Sequence, residues 1–454
     1  MVPSEKSGLL NAFLGGLPGQ AAARLAMAVE ADRLTDGRAL PHDDILSGLR
    51  PVLRRENYRR TPTPLRLLCQ PFQDLLSSAP RIAKQKGLIA RASLIPMWDW
   101  LQALEPAATQ AYMRETKRLL LAHRADEARA CAAAFAPVAA AALAQGLTDR
   151  AAAEKRLGPL VCADVEEMAL LLAAAQGIAP LQALLAIAPH SFSEQLVWQV
   201  REIYEAMVAH HPDAAPYIAV ITMNRLQKPW EALRLPLLVT RHTDEVLISK
   251  TDMGLVGEIL FARMDSLKAA IKATRHPLFD ADLLMSQVKT FADLSSNIVK
   301  EIEIRREGEW GKRLLAERVE IGRVMEGFMD RAPKEFAAAL PLHKAAGADF
   351  SKPVSAEKRA MALRYARLVV GSRNFAAAAS FAARQKTAAE ELTTLLARYN
   401  DDLIRTMKVA DPARAEMVAT QFELCVELTA LLFSEEEAEL LRRRARAAQA
   451  AAAA

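Results

Sequence analysis

A run of arginines between residues 50 and 66 is the part of this sequence best suited to chemistry. A guanidinium presents a planar fork of hydrogen-bond donors that matches a phosphate or carboxylate group. Glu56 is the one acidic residue within the run. The run therefore predicts an anion-binding patch, and its six members are Arg50, Arg54, Arg55, Arg59, Arg60 and Arg66.

The charge around this run differs from that of the whole chain. Residues 38–91 carry eleven basic and four acidic side chains, whereas the chain of 454 residues has a net charge of +5. Such a segment attracts nucleic acid, phospholipid headgroups or an acidic protein. Tyr58 is suited either to stacking on a base or to covering apolar surface. The alternative interpretation is a solvated stretch whose arginines pair with carboxylates elsewhere in the fold.

Local motifs for catalysis or metal binding do not occur in the sequence. Gly-x-Ser-x-Gly and His-Glu-x-x-His are absent, and the string from Gly308 to Arg313 lacks the glycine spacing and the final Ser or Thr of a phosphate-binding loop. The eight histidines are dispersed. No two cysteines have the spacing of a zinc knuckle or a redox pair. We therefore predict no catalytic residue, no metal site and no cofactor.

The composition predicts an all-α fold. Ala, Leu, Arg and Glu, which lose little side-chain freedom in a helix, are abundant, and the chain has only 18 glycines. The best strand candidate, Leu235 to Ile248, contains Pro236 and charged residues in its middle. We expect irregular stacked helical pairs, arranged as an α-solenoid-like array or a multi-helix bundle, with a long helical hairpin.

The hairpin is expected over residues 279–330. Apolar residues from Leu284 to Phe328 recur at alternating steps of four and three, with Glu317 as an interruption, and both charge signs flank them. A narrow apolar seam beside mixed charge is typical of a coiled coil. We expect this seam to pack on the chain itself or on a second copy, which would give a homodimer.

Proline, glycine and charge patterns divide the chain into six segments. Asp149, Ser193 (or Ser191) and Ser434 stand where helices should begin, and each suits an N-cap. The segments are a proline-punctuated basic N-terminal segment (1–90), a helical-pair domain (91–250), the long hairpin (251–340), a linker (341–354), a C-terminal helical bundle (355–446) and an alanine tail that is expected to be disordered (447–454).

Two uncharged stretches resemble membrane spans. Pro137 lies in the middle of residues 130–148, and Gln176, Gly177 and Pro180 divide residues 168–193. Each piece has the length of a buried core helix rather than that of a span of about 20 residues. We therefore expect no transmembrane segment, a cytoplasmic location and, from the heavy use of Ala and Arg, a bacterial source.

Three functions fit these observations. The absence of local catalytic motifs and the segmented helices favour a non-catalytic scaffold that binds another protein. The alternative is binding of an anionic ligand, either nucleic acid or an acidic membrane surface, through Arg50–Arg66. The third is a helical enzyme whose active-site residues come from distant helices.

Overall fold

The chain folds into two compact units, Met1–Leu235 and Pro236–Ala454. The computed structural model describes residues 4–35, 40–58, 60–79, 83–241, 245–343, 347–349, 353–408 and 415–453. Arg59, one of the six predicted anion-binding residues, lies outside these ranges. The two units are described separately below.

The first unit consists of helices joined by short turns. Its core contains alanines and larger apolar side chains from every long helix. The helices are α1 (Ser4–Gly15), α2 (Gly19–Leu34), α3 (His42–Arg55), α4 (Pro64–Leu68), α5 (Leu94–Leu104), α6 (Pro106–Leu121), α7 (Ala125–Gly146), α8 (Arg150–Leu157), α9 (Pro159–Ala173), α10 (Ala175–Leu184), α11 (Glu194–His210) and α12 (Pro216–Arg225).

Strand structure in the first unit is limited, within its described ranges, to one parallel pair of two-residue strands, β1 (Leu76–Ser77) and β2 (Ile89–Ala90). Four 3-10 turns, at Gln70–Leu75, Arg91–Ser93, Pro212–Ala214 and Pro229–Leu233, connect helices. The boundary between the units falls within α13 (Arg234–Thr240).

The second unit is also helical. Its one described strand pair, β3 (Leu342–His343) and β4 (Gly347–Ala348), is antiparallel and lies where the sequence predicted a linker. A 3-10 turn at Asp252–Gly254 precedes its longer helices. The helices are α14 (Glu245–Ile248), α15 (Leu255–Ala273), α16 (Ala281–Glu301), α17 (Glu309–Ala339), α18 (Ala356–Gly371), α19 (Ala382–Met407), α20 (Ala415–Leu432) and α21 (Glu435–Ala453).

These elements confirm the predicted all-α fold. The described residues of the best strand candidate, Leu235 to Ile248, are helical except Arg241, which has a φ of 58°. Its central charges and Pro236 do not alternate with apolar residues as a half-buried strand requires. The three predicted N-caps are also confirmed, because the side chains of Asp149, Ser193 and Ser434 each accept a backbone N–H from the first turn of the following helix.

Four prolines lie inside described helices beyond the first turn, namely Pro51 in α3, Pro137 in α7, Pro180 in α10 and Pro333 in α17. Pro180 was expected to divide an apolar stretch, but it lies within one helix. Pro51 is in the last third of α3, and Pro137 is near the middle of α7. A proline inside a helix removes one hydrogen bond and costs about 3 kcal/mol. In α3 the residues that follow it, Val52 and Leu53, are 4% and 3% exposed. Burial of these side chains offsets the cost and lets the helix continue.

The apolar seam of the predicted hairpin is buried inside the second unit. Leu284, Phe291, Ile321 and Phe328 are all buried. Helix α16 packs mainly against α15 and α18, and α17 packs mainly against α18 and α19. The seam therefore contributes to the core of its own chain, and the homodimer stays a prediction.

Helix α7 is long and apolar enough to span a membrane by length and composition alone, and the bent pair α9–α10 passes the same test when its two parts are taken together. In α7, 39% of the most apolar window is buried inside the protein. A core helix of a globular domain meets this criterion as well. The cytoplasmic location stays a prediction.

Candidate anion-binding cleft

Helix α3 has an apolar face and a basic face. Leu46, Leu49 and Leu53 are at most 3% exposed and belong to a core cluster shared with α1 and α2. Arg50 and Arg54 are exposed and stand four residues apart, so they lie one above the other on the helix surface. The helical period thus places the apolar residues of α3 against the core and its two arginines on the exposed face.

The chain reverses direction immediately after α3. Asn57 has a φ of 51°, in the left-handed region that Asn tolerates better than most residues. The next helix, α4, is capped by Thr63, whose hydroxyl accepts the backbone N–H of Arg66 at 3.2 Å. The turn and the cap bring Arg66 to the same cleft as the two arginines of α3.

A buried carboxylate fixes this turn. Glu30, on α2, is 2% exposed. Its Oε1 accepts Arg60 Nε at 2.9 Å, and its Oε2 accepts the backbone N–H of Thr61 at 2.9 Å and the hydroxyl of Tyr58 at 3.3 Å. Burial and the neighbouring Glu30 carboxylate raise the pKa of Tyr58 to about 12, so the phenol remains a donor. Glu30 therefore positions Tyr58, Arg60 and Thr61.

These elements form a cleft with a volume of about 690 Å³, which we call the arginine cleft. Its walls combine guanidinium, amide and apolar groups. The described lining residues include five arginines and no acidic residue. They are Arg50, Leu53, Arg54, Asn57, Tyr58, Arg60, Pro62, Arg66, Leu67, Gln70, Gln73 and Arg129.

The acidic residues nearest in sequence to these arginines point elsewhere. The carboxylate of Glu56 lies against Gly19, where a Cβ would come within 2.3 Å of it. Gly19 begins α2, and a carboxylate is favourable at the positive end of a helix dipole. Asp126 forms an ion pair with Arg129 but is 95% exposed and does not line the cleft.

Three arginines of the cleft have no side-chain partner among the residues that the structure describes. Within the described ranges, Arg50, Arg54 and Arg66 form no ion pair and no side-chain hydrogen bond. Their like charges converge on one concave surface, which concentrates positive potential there. An anion bound among them would replace mutual repulsion with charge-assisted hydrogen bonds.

The structure sorts the six predicted arginines into different environments. Arg50, Arg54, Arg60 and Arg66 line the arginine cleft, and Arg60 is also the partner of Glu30. Arg55 does not line it, and its Nε donates to the carbonyl oxygen of Pro51 at 3.4 Å. Arg59 lies outside the described residues.

Sequence reasoning missed Arg129 and the amides of Gln70 and Gln73. Arg129 comes from α7, more than 60 residues beyond Arg66 in the chain, and its charged neighbours in sequence are Arg124, Asp126 and Glu127. No local pattern links it to the arginine run. Only the packing of α7 against α4 brings it to the cleft.

A second cluster of polar side chains in the first unit was also not predicted from the sequence. Asp164 and Glu167, on α9, are 0% and 5% exposed, and both pair with Lys84. Glu167 also accepts the hydroxyl of Tyr217 at 2.6 Å, and Asp164 accepts the hydroxyl of Ser93 at 2.6 Å. Every one of these carboxylate oxygens has a partner in the protein. We interpret the cluster as a structural clamp on residues 84–93.

Other chemistry has little support in the described part of the chain. It contains no group of three or more His, Cys, Asp or Glu side chains arranged to hold a metal ion. The four cysteines, Cys69, Cys131, Cys162 and Cys425, are free thiols. Burial raises the pKa of Cys69 to about 12, which disfavours the reactive thiolate.

No protein-family model, no curated protein and no solved structure matches this chain. The functional interpretation is therefore based on the geometry and charge of the arginine cleft.

Proposed function

We propose that this protein binds a ligand carrying phosphate, or a similar multivalent oxyanion, in the arginine cleft. The observation that supports the proposal is the convergence of five arginines on one cleft whose described lining contains no acid. Arg50, Arg54 and Arg66 have no internal partner among the described residues, so their donors are available to a ligand.

The shape of the cleft favours a compact ligand. Small-molecule sites have volumes of roughly 300–1,000 Å³ and are concave, and the arginine cleft has about 690 Å³. A nucleic-acid polymer follows an extended basic track along a surface. We therefore favour a discrete phosphate-bearing molecule over DNA or RNA.

Titration calorimetry with tripolyphosphate at low salt tests this proposal. We expect saturable binding by the wild-type protein. The double variant Arg50→Ala/Arg54→Ala should bind at least about tenfold more weakly, because hydrogen bonds to charged groups contribute ~1.5–3 kcal/mol each. Its thermal stability should stay close to that of the wild type, since both side chains are exposed. Absence of saturable binding, or equal binding by the variant, would contradict the proposal.

A single-stranded oligonucleotide tests the polymer alternative. If the arginines bind nucleic acid, log affinity should fall linearly with log salt, and the slope should decrease by about 0.7 per arginine removed. Oligonucleotide binding with that behaviour, together with no competition by tripolyphosphate, would assign the arginines to nucleic acid and contradict a compact ligand.

Binding of another protein is the second proposed function. Leu278 is 92% exposed and lines a cleft of about 520 Å³ in the second unit. The charged residues that line the same cleft are Asp280, Asp282, Arg364 and Arg367. An exposed apolar residue beside arginines is typical of a protein–protein contact. Leu278→Asp should abolish co-purification of a protein partner, and an unchanged set of partners would count against this site.

A further inference from the structure

A second cleft opens from the wall of the arginine cleft. It has a volume of about 240 Å³ and shares Leu67, Gln70 and Arg129 with the arginine cleft. We call it the alanine cleft, because most of its other lining residues are small and apolar. They are Leu68, Pro71, Ala130, Ala132, Ala133, Ala136, Ala175, Ala179 and Gln182.

Small side chains leave this space unfilled. Ala133 and Ala136 of α7 face Ala175 and Ala179 of α10 across it. A methyl group does not reach across the gap between two helices, whereas a leucine or phenylalanine would. The gap therefore follows from the sequence of these two helices, and the four alanines present only methyl groups to it.

The most buried polar side chain that lines the alanine cleft is already engaged. Gln182 is 7% exposed, and its Nε2 donates to the carbonyl oxygen of Gln70 at 2.8 Å and to Asp74 Oδ2 at 3.1 Å. Arg225 donates to the same Asp74 oxygen and to the carbonyl oxygen of Gln182. The interior thus offers methyl groups, and the strong charge, Arg129, stands where the two clefts join.

We propose that the ligand is an anionic amphiphile, with its phosphate among the arginines and its alkyl or acyl chain in the alanine cleft. This inference rests on the proposed function and adds the chemistry of the rest of the ligand. Two features support it: the cationic cleft complements a phosphate, and the adjoining apolar cleft complements a hydrocarbon chain. Arg129 contributes to both, so one molecule can occupy both clefts.

A third cleft, on the other side of Arg60, is a poorer place for the chain. It has about 650 Å³ and contains apolar residues of α2 and α6, but Arg24, Arg60, Arg129 and His123 also line it. A hydrocarbon chain there would remove several charged or polar groups from water without replacing their hydrogen bonds. We therefore place the chain in the alanine cleft.

The test measures affinity for monomeric alkyl phosphates of increasing chain length. For the wild type we expect about fourfold tighter binding per added methylene, the equivalent of ~0.8 kcal/mol for each buried CH₂, until the alanine cleft is filled. Ala133→Phe should fill the cleft, abolish this dependence and leave tripolyphosphate affinity unchanged. Ala134→Phe is the matched control, because Ala134 is an exposed neighbour on α7 that does not line the cleft.

The outcomes separate this inference from the proposed function. Tripolyphosphate binding without any chain-length dependence in the wild type would overturn the amphiphile and keep the anion site. Chain-length dependence that persists in Ala133→Phe would place the chain elsewhere and also overturn the inference. Unchanged tripolyphosphate affinity in Ala133→Phe shows that the variant is folded, so a failed fold cannot imitate the expected result.

The same phosphate and chain occur in a lipid held in a membrane and in a free amphiphile. Flotation with vesicles containing phosphatidic acid distinguishes these sources. We expect one phosphatidic acid molecule to leave the vesicle and bind in the two clefts. The protein that is separated from the vesicles should therefore carry less lipid in Ala133→Phe than in the wild type. Vesicle binding that is equal in Ala133→Phe and disappears at high salt would indicate attraction to a charged surface, and would contradict the inference.

Discussion

At the scale of single residues, the six predicted arginines are not equivalent. Arg54 lines the arginine cleft without a protein partner among the described residues, Arg55 next to it lies off the cleft, and Arg60 is bound to a buried carboxylate. The two interpretations of the sequence, an anion-binding patch and arginines paired with carboxylates, therefore apply to different members of one run. The outcome of mutation should differ accordingly.

Arg60→Ala should destabilise the first unit. Glu30 is 2% exposed, and among the described residues removal of Arg60 would leave its buried charge with the donors of Tyr58 and Thr61. We expect a loss of ~1–3 kcal/mol, because a buried charged acceptor loses a partner. Chemical denaturation measures this loss, and Arg54→Ala is the control, with an expected change below ~0.5 kcal/mol. Equal stability of the two variants would contradict the role given to Glu30.

Part of the cleft could be predicted from the sequence. The type and spacing of Arg50 and Arg54 place them on one helix face, opposite the apolar residues of α3. The exclusion of Arg55 follows from the same helical period, since adjacent residues point about 100° apart. Arg129 could not be predicted, because its position depends on how α7 packs against α4, and no local pattern records that contact.

At the scale of elements, Glu317 is a charged residue within the apolar seam of α17, and it is paired with a lysine of a neighbouring helix. Glu317 is 5% exposed, and its Oε1 accepts Lys268 Nζ from α15 at 2.8 Å. Burial raises the pKa of Glu317, and the nearby carboxylate of Asp265 adds to this effect, while Lys268 opposes it. The folded protein therefore holds the Glu317 proton more tightly than the unfolded chain does. As a result, the stability of the fold falls as pH rises through the raised pKa of Glu317.

The two partners of this pair should respond differently to replacement. Lys268→Ala leaves the Glu317 carboxylate buried without its cation, and we expect a loss of ~1–3 kcal/mol at neutral pH. Glu317→Leu continues the apolar seam, removes a charge that burial disfavours and should cost less than ~1 kcal/mol, or stabilise. Urea denaturation of both variants checks the order, and a greater loss for Glu317→Leu would contradict this account of α17.

The helices themselves were predictable where local chemistry determines them. Asp149, Ser193 and Ser434 begin helices because their side chains accept first-turn amides, a rule that needs no tertiary information. The expected division of residues 168–193 at Pro180 was wrong, because Pro180 lies inside α10 and the burial that offsets its cost depends on neighbouring helices. Whether a helix continues past a proline therefore depends on its packing against other helices.

At the scale of the whole molecule, both units bury tyrosines. Burial is the main cause of a raised pKa in five of the six tyrosines, and the pKa of Tyr58 and Tyr365 rises from 10.0 to about 12. The five are Tyr58, Tyr112, Tyr217, Tyr365 and Tyr399. Between these pH values the folded protein binds more protons than the unfolded chain, so its stability falls as pH rises.

An alkaline titration tests this prediction. The ultraviolet absorbance of phenolate should rise much less in the native protein than in the denatured protein between pH 10 and about 12. Most of the remaining signal should appear together with the loss of helical circular dichroism. A native titration curve that coincides with the denatured one would show that these tyrosines are accessible.

The central claim is that the arginine cleft, rather than the general basic charge of residues 38–91, binds an anion. Arg54→Ala and Arg55→Ala test it most directly, because they remove the same charge from adjacent exposed positions of α3, and only Arg54 lines the cleft. Titration calorimetry with tripolyphosphate should show at least about tenfold weaker binding for Arg54→Ala and less than about twofold for Arg55→Ala. Equal weakening in both variants would assign binding to diffuse surface charge and contradict the account.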